Sequence, residues 1–127
     1  MELGKILFSR LSSDAGVSAI AESRIFPQSI PLETDKPAVA YDFNLNDPYD
    51  GSAPILSANV TVGCWGRTND VAHNLGRAVL EALDSYSGQS GGTRLAPLTF
   101  AGQSESQDFD VGAWGVILTF QGLVVVS

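Results

Sequence analysis

Apolar positions along the chain recur with two periods, and the switches between them mark out the elements. Leu3, Ile6, Leu7 and Leu11 fall at spacings of three and four, which predicts a helix from Glu2 to Ser12. Ser13 or Asp14 offers a cap for a short second turn, Ala15 to Glu22, with Val17, Ile20 and Ala21 inward. Arg24-Ile25-Phe26 reads as a short strand stopped by Pro27, and residues 27–37 as loop. Val39, Tyr41 and Phe43 alternate along a strand from Ala38 to Phe43. The polar stretch Asn44 to Leu56, with turn signals at Asp47-Pro48 and Asp50-Gly51, reads as a long hairpin connection or mobile arm.

The cleanest strand is Ser57 to Trp65, where Ala58, Val60, Val62 and Cys64 alternate with Asn59, Thr61 and Gly63. Asn69 or Asp70 is expected to cap a long helix running to about Tyr86. Its inward stripe is Val71, Leu75, Ala78, Val79, Ala82, Leu83 and Tyr86, and Gly88 supplies the stop. Gly88 to Gly92 reads as a flexible tip. Thr93 to Phe100 is expected as a strand that Pro97 confines to an edge or a bulge. Ala101 to Asp110 reads as a polar loop, and Trp114 to about Val125 as a long final strand.

This order predicts an α+β fold: a mostly antiparallel sheet packed against an N-terminal helix and one long amphipathic helix, with an extended hairpin or loop arm. No repeat or composition shift interrupts residues 1–127, so one domain is expected.

Composition narrows the function classes. The chain has 127 residues, of which 44% are hydrophobic and 17% charged, a balance suited to a folded core. One cysteine excludes an internal disulfide, and one Cys plus one His fall short of a structural zinc set. No apolar run has the length of a membrane span, and Met1 to Lys5 lacks the lead of a secretory signal. The net charge of -7 argues against nucleic-acid binding, which draws on Lys and Arg to neutralise phosphates. A soluble, acidic, intracellularly made module is expected.

Candidate chemistry is thin. Cys64 shares the apolar strand face with Val60 and Val62, whereas His73 lies on the polar side of the helix that follows. No third group is in place to make them a nucleophile and base. Asp42, Asn44, Asn46 and Asp47 open like a calcium loop, but Asp47 stands where such a loop needs Gly and Ala53 where it needs Glu. Gly63 to Thr68 precedes a helix as anion-binding turns do, without phosphate-loop spacing. Glu105, Asp108 and Asp110 sit in a stretch read as solvated, where a shifted acid–base pair is not expected. Trp65 and Trp114 are expected to pack a core or an interface. The residues therefore specify no catalytic group, no cofactor and no metal site.

Several local stretches, in order, resemble a known family. They are Ser13-Asp14-Ala15-Gly16-Val17-Ser18-Ala19-Ile20, Arg24-Ile25-Phe26-Pro27 and Lys36-Pro37-Ala38-Val39-Ala40-Tyr41. Ala58 to Gly66, ending in Cys64-Trp65, and the helix from Asp70-Val71-Ala72 through Ala82-Leu83-Asp84 continue the series. Together they are similar to the tail-completion family of long-tailed bacteriophages, also called tail-to-head joining or tail-terminator proteins. The resemblance covers most of residues 13–86, and the last third follows in outline.

The resemblance implies a virion structural protein, assembled in the host cytoplasm, with no catalytic residue or cofactor. It implies a homo-oligomeric ring, commonly a hexamer, at the head-proximal end of the tail tube. Such a ring ends tube growth and joins the tail to the head connector. Its partners would be the tail tube protein and head connector or adaptor proteins. DNA would pass through without specific binding, and no membrane would be involved.

Under that reading, loop residues Asp47, Tyr49, Asp50, Glu105, Asp108 and Asp110 are the candidates for lumen or interface. Segment 44–56 is expected to be mobile in the free chain and ordered by a neighbour. Two other readings stay open: a head-completion adaptor on the portal, and a small ligand-binding α+β domain.

Overall fold

The computed structural model describes residues 2–28, 30, 36–46, 55–108 and 112–126. Three helices cover one face of a seven-stranded sheet. Helix α1, Leu3–Ser13, buries Leu3, Ile6, Leu7 and Leu11, the stripe its spacing predicts. Asp14 ends α1 and caps α2, Ala15–Ala21, with its carboxylate accepting the Val17 N–H at 3.0 Å. Glu22, at φ 56, stops α2. Helix α3, Asn69–Leu83, carries the widest buried stripe.

The strands are β1 Ile25–Pro27, β2 Ala38–Asn46, β3 Ile55–Gly66, β4 Gly88–Ser90, β5 Thr93–Leu95, β6 Thr99–Asp108 and β7 Ala113–Val126. Their order is β1-β2-β3-β7-β5-β4, with β6 also paired to β7. Among the described strands only the β1–β2 pair is parallel. The fold is thus α+β with a mostly antiparallel sheet, as the pattern predicts.

The core lies between helices and sheet. Val39, Tyr41, Val60, Val62, Cys64, Val116, Leu118, Phe120 and Val124 meet Leu3, Leu7, Leu75 and Val79 there. Phe120 is the largest fully buried side chain. Burying one such ring contributes about 2–3 kcal/mol. Arg10 ties α1 to the end of α3: its Nε donates to the Ala82 carbonyl at 2.7 Å, and its guanidinium lies 4.8 Å over the Tyr86 ring.

Several elements differ from the sequence expectation. The cap of α3 is Thr68, whose hydroxyl accepts the Val71 N–H at 3.2 Å, and not Asn69 or Asp70. The helix stops at Leu83, short of Tyr86, because Ser85 takes the left-handed conformation at φ 63 and donates to the Leu98 carbonyl. Gly88 therefore belongs to β4 and is not the stop. The buried stripe is Ala72, Leu75, Gly76, Val79, Ala82 and Leu83, with Val71 and Ala78 only half-buried. Gly76 explains the rotation: a Cβ there would come within 3.0 Å of Val116, so the bare backbone lets α3 settle onto β7.

Residues 88–95, expected as a flexible tip and the start of a strand, form the tight hairpin β4–β5. Pro97 sits in a break between β5 and β6, where the chain steps along β7 from Val124–Val126 to Gln121. The stretch 101–108, expected as loop, is most of β6, paired to β7 from Thr99↔Gln121 to Asp108↔Ala113. Strands β2 and β3 also run on to Asn46 and back to Ile55, so the expected 44–56 arm is partly hairpin strand. Its middle, 47–54, lies outside the described residues.

Candidate functional site

Cys64 sits in the middle of the core, fully buried, and burial pushes its thiol up to about 12. A thiol held neutral in this way is a packing group. His73 projects from α3 on the solvent side and meets the Glu105 carboxylate across from it on β6. The two residues that alone suggested nucleophilic chemistry thus point apart: one into the core, the other into a surface contact with Glu105.

The calcium-like residues are equally settled by geometry. Asp42, Asn44 and Asn46 lie on β2 at alternate positions, so they share one face of an extended strand. Along an extended strand the four steps from Asp42 to Asn46 span about 13 Å, too far for all three side chains to close on one ion as a compact loop would. Asp47 lies outside the described residues. Among the described residues no group of three His, Cys, Asp or Glu comes together.

The turn before α3 is closed by packing. A Cβ on Gly66 would stand 2.8 Å from the Ala72 backbone nitrogen, so glycine is needed for the helix start to press against β3. Thr68 takes the first-turn donors, with its hydroxyl on Val71 N–H and its carbonyl on Ala72 N–H. A surface hollow of about 570 Å³ lies beside α1 among Lys5, Phe8, Tyr41, Tyr86 and Gln89. Burial raises the Tyr41 phenol. No carboxylate or imidazole lines that hollow.

The sheet surface away from the helices carries different chemistry. On β3 the residues opposite the core are Ser57, Asn59, Thr61, Gly63 and Trp65. Register sets Asp42, Thr61, Thr119 and Gly102 in one row, and Trp65 beside Gly115 in another. Trp65 lies flat on β7: a Cβ at Gly115 would come within 2.7 Å of its ring. Trp114 points to the helix side and stays 36% exposed. The two tryptophans therefore lie at the surface end of the sheet, neither in the core.

The sheet also ends in open edges. Among the described residues, β6 pairs with β7 along one side only, and β2 is covered by β1 only from Val39 to Tyr41. Glu105 lies on β6 with its side chain exposed, and Asp108 is the last residue of that strand. The structure thus brings Glu105 to His73, and among the described residues it stands in no cluster of three His, Cys, Asp or Glu. Asp47, Tyr49, Asp50 and Asp110 lie outside the described residues.

Residues 5–124 match the family model of tail completion protein gp17. The chain belongs to this family. It is therefore a structural protein of the phage tail, carried in the virion and working against other virion proteins. That membership points to a non-enzymatic role.

A chain from a solved structure titled "Virion of native gene transfer agent (GTA) particle" has the same fold, with TM-score 0.81 at 16% identity. The match covers 94% of this chain and 91% of that one. No curated protein matches significantly.

Sequence reasoning named Glu105 and Asp108 but read Ala101 to Asp110 as loop, and so missed that both lie on strand β6. The available signal was the unbroken run Thr99 to Asp108, free of Pro and of any Gly-Gly or Asn-Gly turn.

Proposed function

We propose that this tail completion protein closes into a ring, commonly of six copies, at the head-proximal end of the tail tube. The ring ends tube growth and offers the head connector a docking face. The observation that carries this reading is the pair of unlike edges on opposite sides of one sheet, β6 and the far half of β2, which meet no further strand among the described residues. A head-to-tail contact uses two different patches of each copy, and such contacts close into rings when the rotation allows.

Charge supports the same reading. Six copies at -7 carry about -42, a field that discourages DNA from sticking as it passes. Asp47, Asp50, Glu105, Asp108 and Asp110 are the proposed contributors near the lumen, and Tyr49 a proposed interface contact. Reversing the five acids to Lys is expected to impair DNA ejection while the fold persists. Unchanged infectivity would refute that lumen assignment.

Electron microscopy and native mass spectrometry of the purified protein test the ring. Closed rings of one size are expected, with labelled copies at the head end of isolated tails. A copy number equal to the portal's would instead favour a head-completion adaptor. A chain that stays monomeric at all concentrations, and alone in tails, overturns the proposal.

A further inference from the structure

We infer that β6 of one copy pairs, antiparallel, with the free half of β2 in the next copy. The inference rests on the ring reading and specifies its contact.

A strand edge directs every second N–H and C=O outward, and unpaired edges recruit other strands unless blunted. β6 is ten residues long and has neither Pro nor Lys. Its one irregularity is the bulge between Phe100 and Gly102. Its far side meets no strand among the described residues. A short and covered edge would need no occupant, and β4, with three residues beside α1, is of that kind.

The occupant is a second copy because the same chain carries the complementary edge. β1 covers β2 at Val39 to Tyr41, and among the described residues no strand pairs with that side of Asp42 to Asn46. Direction agrees as well. β2 is antiparallel to β3, β3 to β7 and β7 to β6, so β6 and β2 run oppositely. Copies related by rotation about a ring axis therefore meet in the antiparallel sense, the more stable pairing. The alternation of strand direction then continues through the seam without a break.

In the free chain both edges are partly occupied by their own carboxylates. Asp42 accepts the Phe43 N–H at 2.8 Å, and Asp84 accepts the Phe100 N–H at 3.4 Å. These contacts hold an edge donor until a strand replaces them.

Amide hydrogen exchange on free chain and on rings tests the inference. Protection of Gln103 to Gln107 and of Phe43 to Leu45 is expected to rise at least tenfold in rings. A cysteine scan adds an independent readout: Asn44→Cys combined in turn with Ala101→Cys, Gln103→Cys or Ser104→Cys. At least one pair is expected to give disulfide-linked multimers, while Asn74→Cys on α3 gives none. Cys64 stays in place, since it is fully buried. Rings whose β6 and β2 amides exchange as in the free chain, with no pair cross-linking, overturn the inference alone. A chain that forms no ring under any condition overturns the ring reading and this inference together.

Discussion

β3 and β6 are both long strands paired to β7, yet they are held by different forces. β3 buries Ala58, Val60, Val62 and Cys64 completely, and β7 and β2 flank it on both sides. From Ala101 to Ser106, β6 has only Gly102 even half-buried. Its early anchor is Phe100, whose ring sits 5.7 Å from that of Phe120. Beyond that it relies on backbone pairing with β7 and on the Glu105–His73 contact to α3. The contrast separates two jobs: apolar burial holds the subunit together, and a polar paired edge is left facing outward.

The largest test of that contrast is in the core. Phe120→Ala should destabilise by about 3–5 kcal/mol in urea unfolding, since it removes the ring and leaves a cavity. A comparable truncation on β6, Gln103→Ala, should stay within about 0.5 kcal/mol. Equal losses at both sites would show that β6 is not the weakly held strand described here.

Gly66→Val should cost about 1–3 kcal/mol, because the added carbons collide with the start of α3. Calorimetry should find a lower midpoint with the same two-state shape. Thr68→Ala should cost about 1 kcal/mol by leaving the Val71 N–H uncapped, and Thr68→Ser should restore most of it.

Cys64 gives a pH test of the buried side. Its folded value of about 12 lies above its ordinary 9.0, so the unfolded chain loses the proton first. Stability from this group is full below pH 9 and is lost as pH rises from there toward 12. Cys64→Ala should flatten that decline. Native protein at pH 8 should resist thiol reagents that react at once in urea.

The smallest effect is expected at the edge itself. His73→Ala should change global stability by less than about 1 kcal/mol, because the pair with Glu105 is solvent-exposed. It should nonetheless speed amide exchange in β6 more than in β3. No difference between the two strands would remove the latch role of this pair.

Much of the fold was legible because burial leaves a periodic trace. Leu3, Ile6, Leu7 and Leu11 mark α1, Asp14 caps α2, and Val60, Val62 and Cys64 mark β3, each by local spacing alone. The places of Cys64 in the core and His73 at the surface were legible for a related reason, since each follows from the face its position takes. The ordered family-like stretches pointed to tail completion. What local spacing could not give was β6: a strand exposed on both faces has no alternation, so Ala101 to Asp108 looks like loop.

Tertiary structure decided the features that depend on distant partners. The backbone groups of β6 are satisfied only once the next strand, β7, folds back along it, and the side chains of residues 99–108 do not announce that pairing. The seat of α3 was settled by Gly76 against Val116, forty residues away in sequence, and the strand break at Pro97 by the length of β7 left over for β5. Apolar burial acts through each residue's own side chain and so is written locally. Backbone pairing acts through groups every residue shares, so its outcome emerges only when the strands are in place.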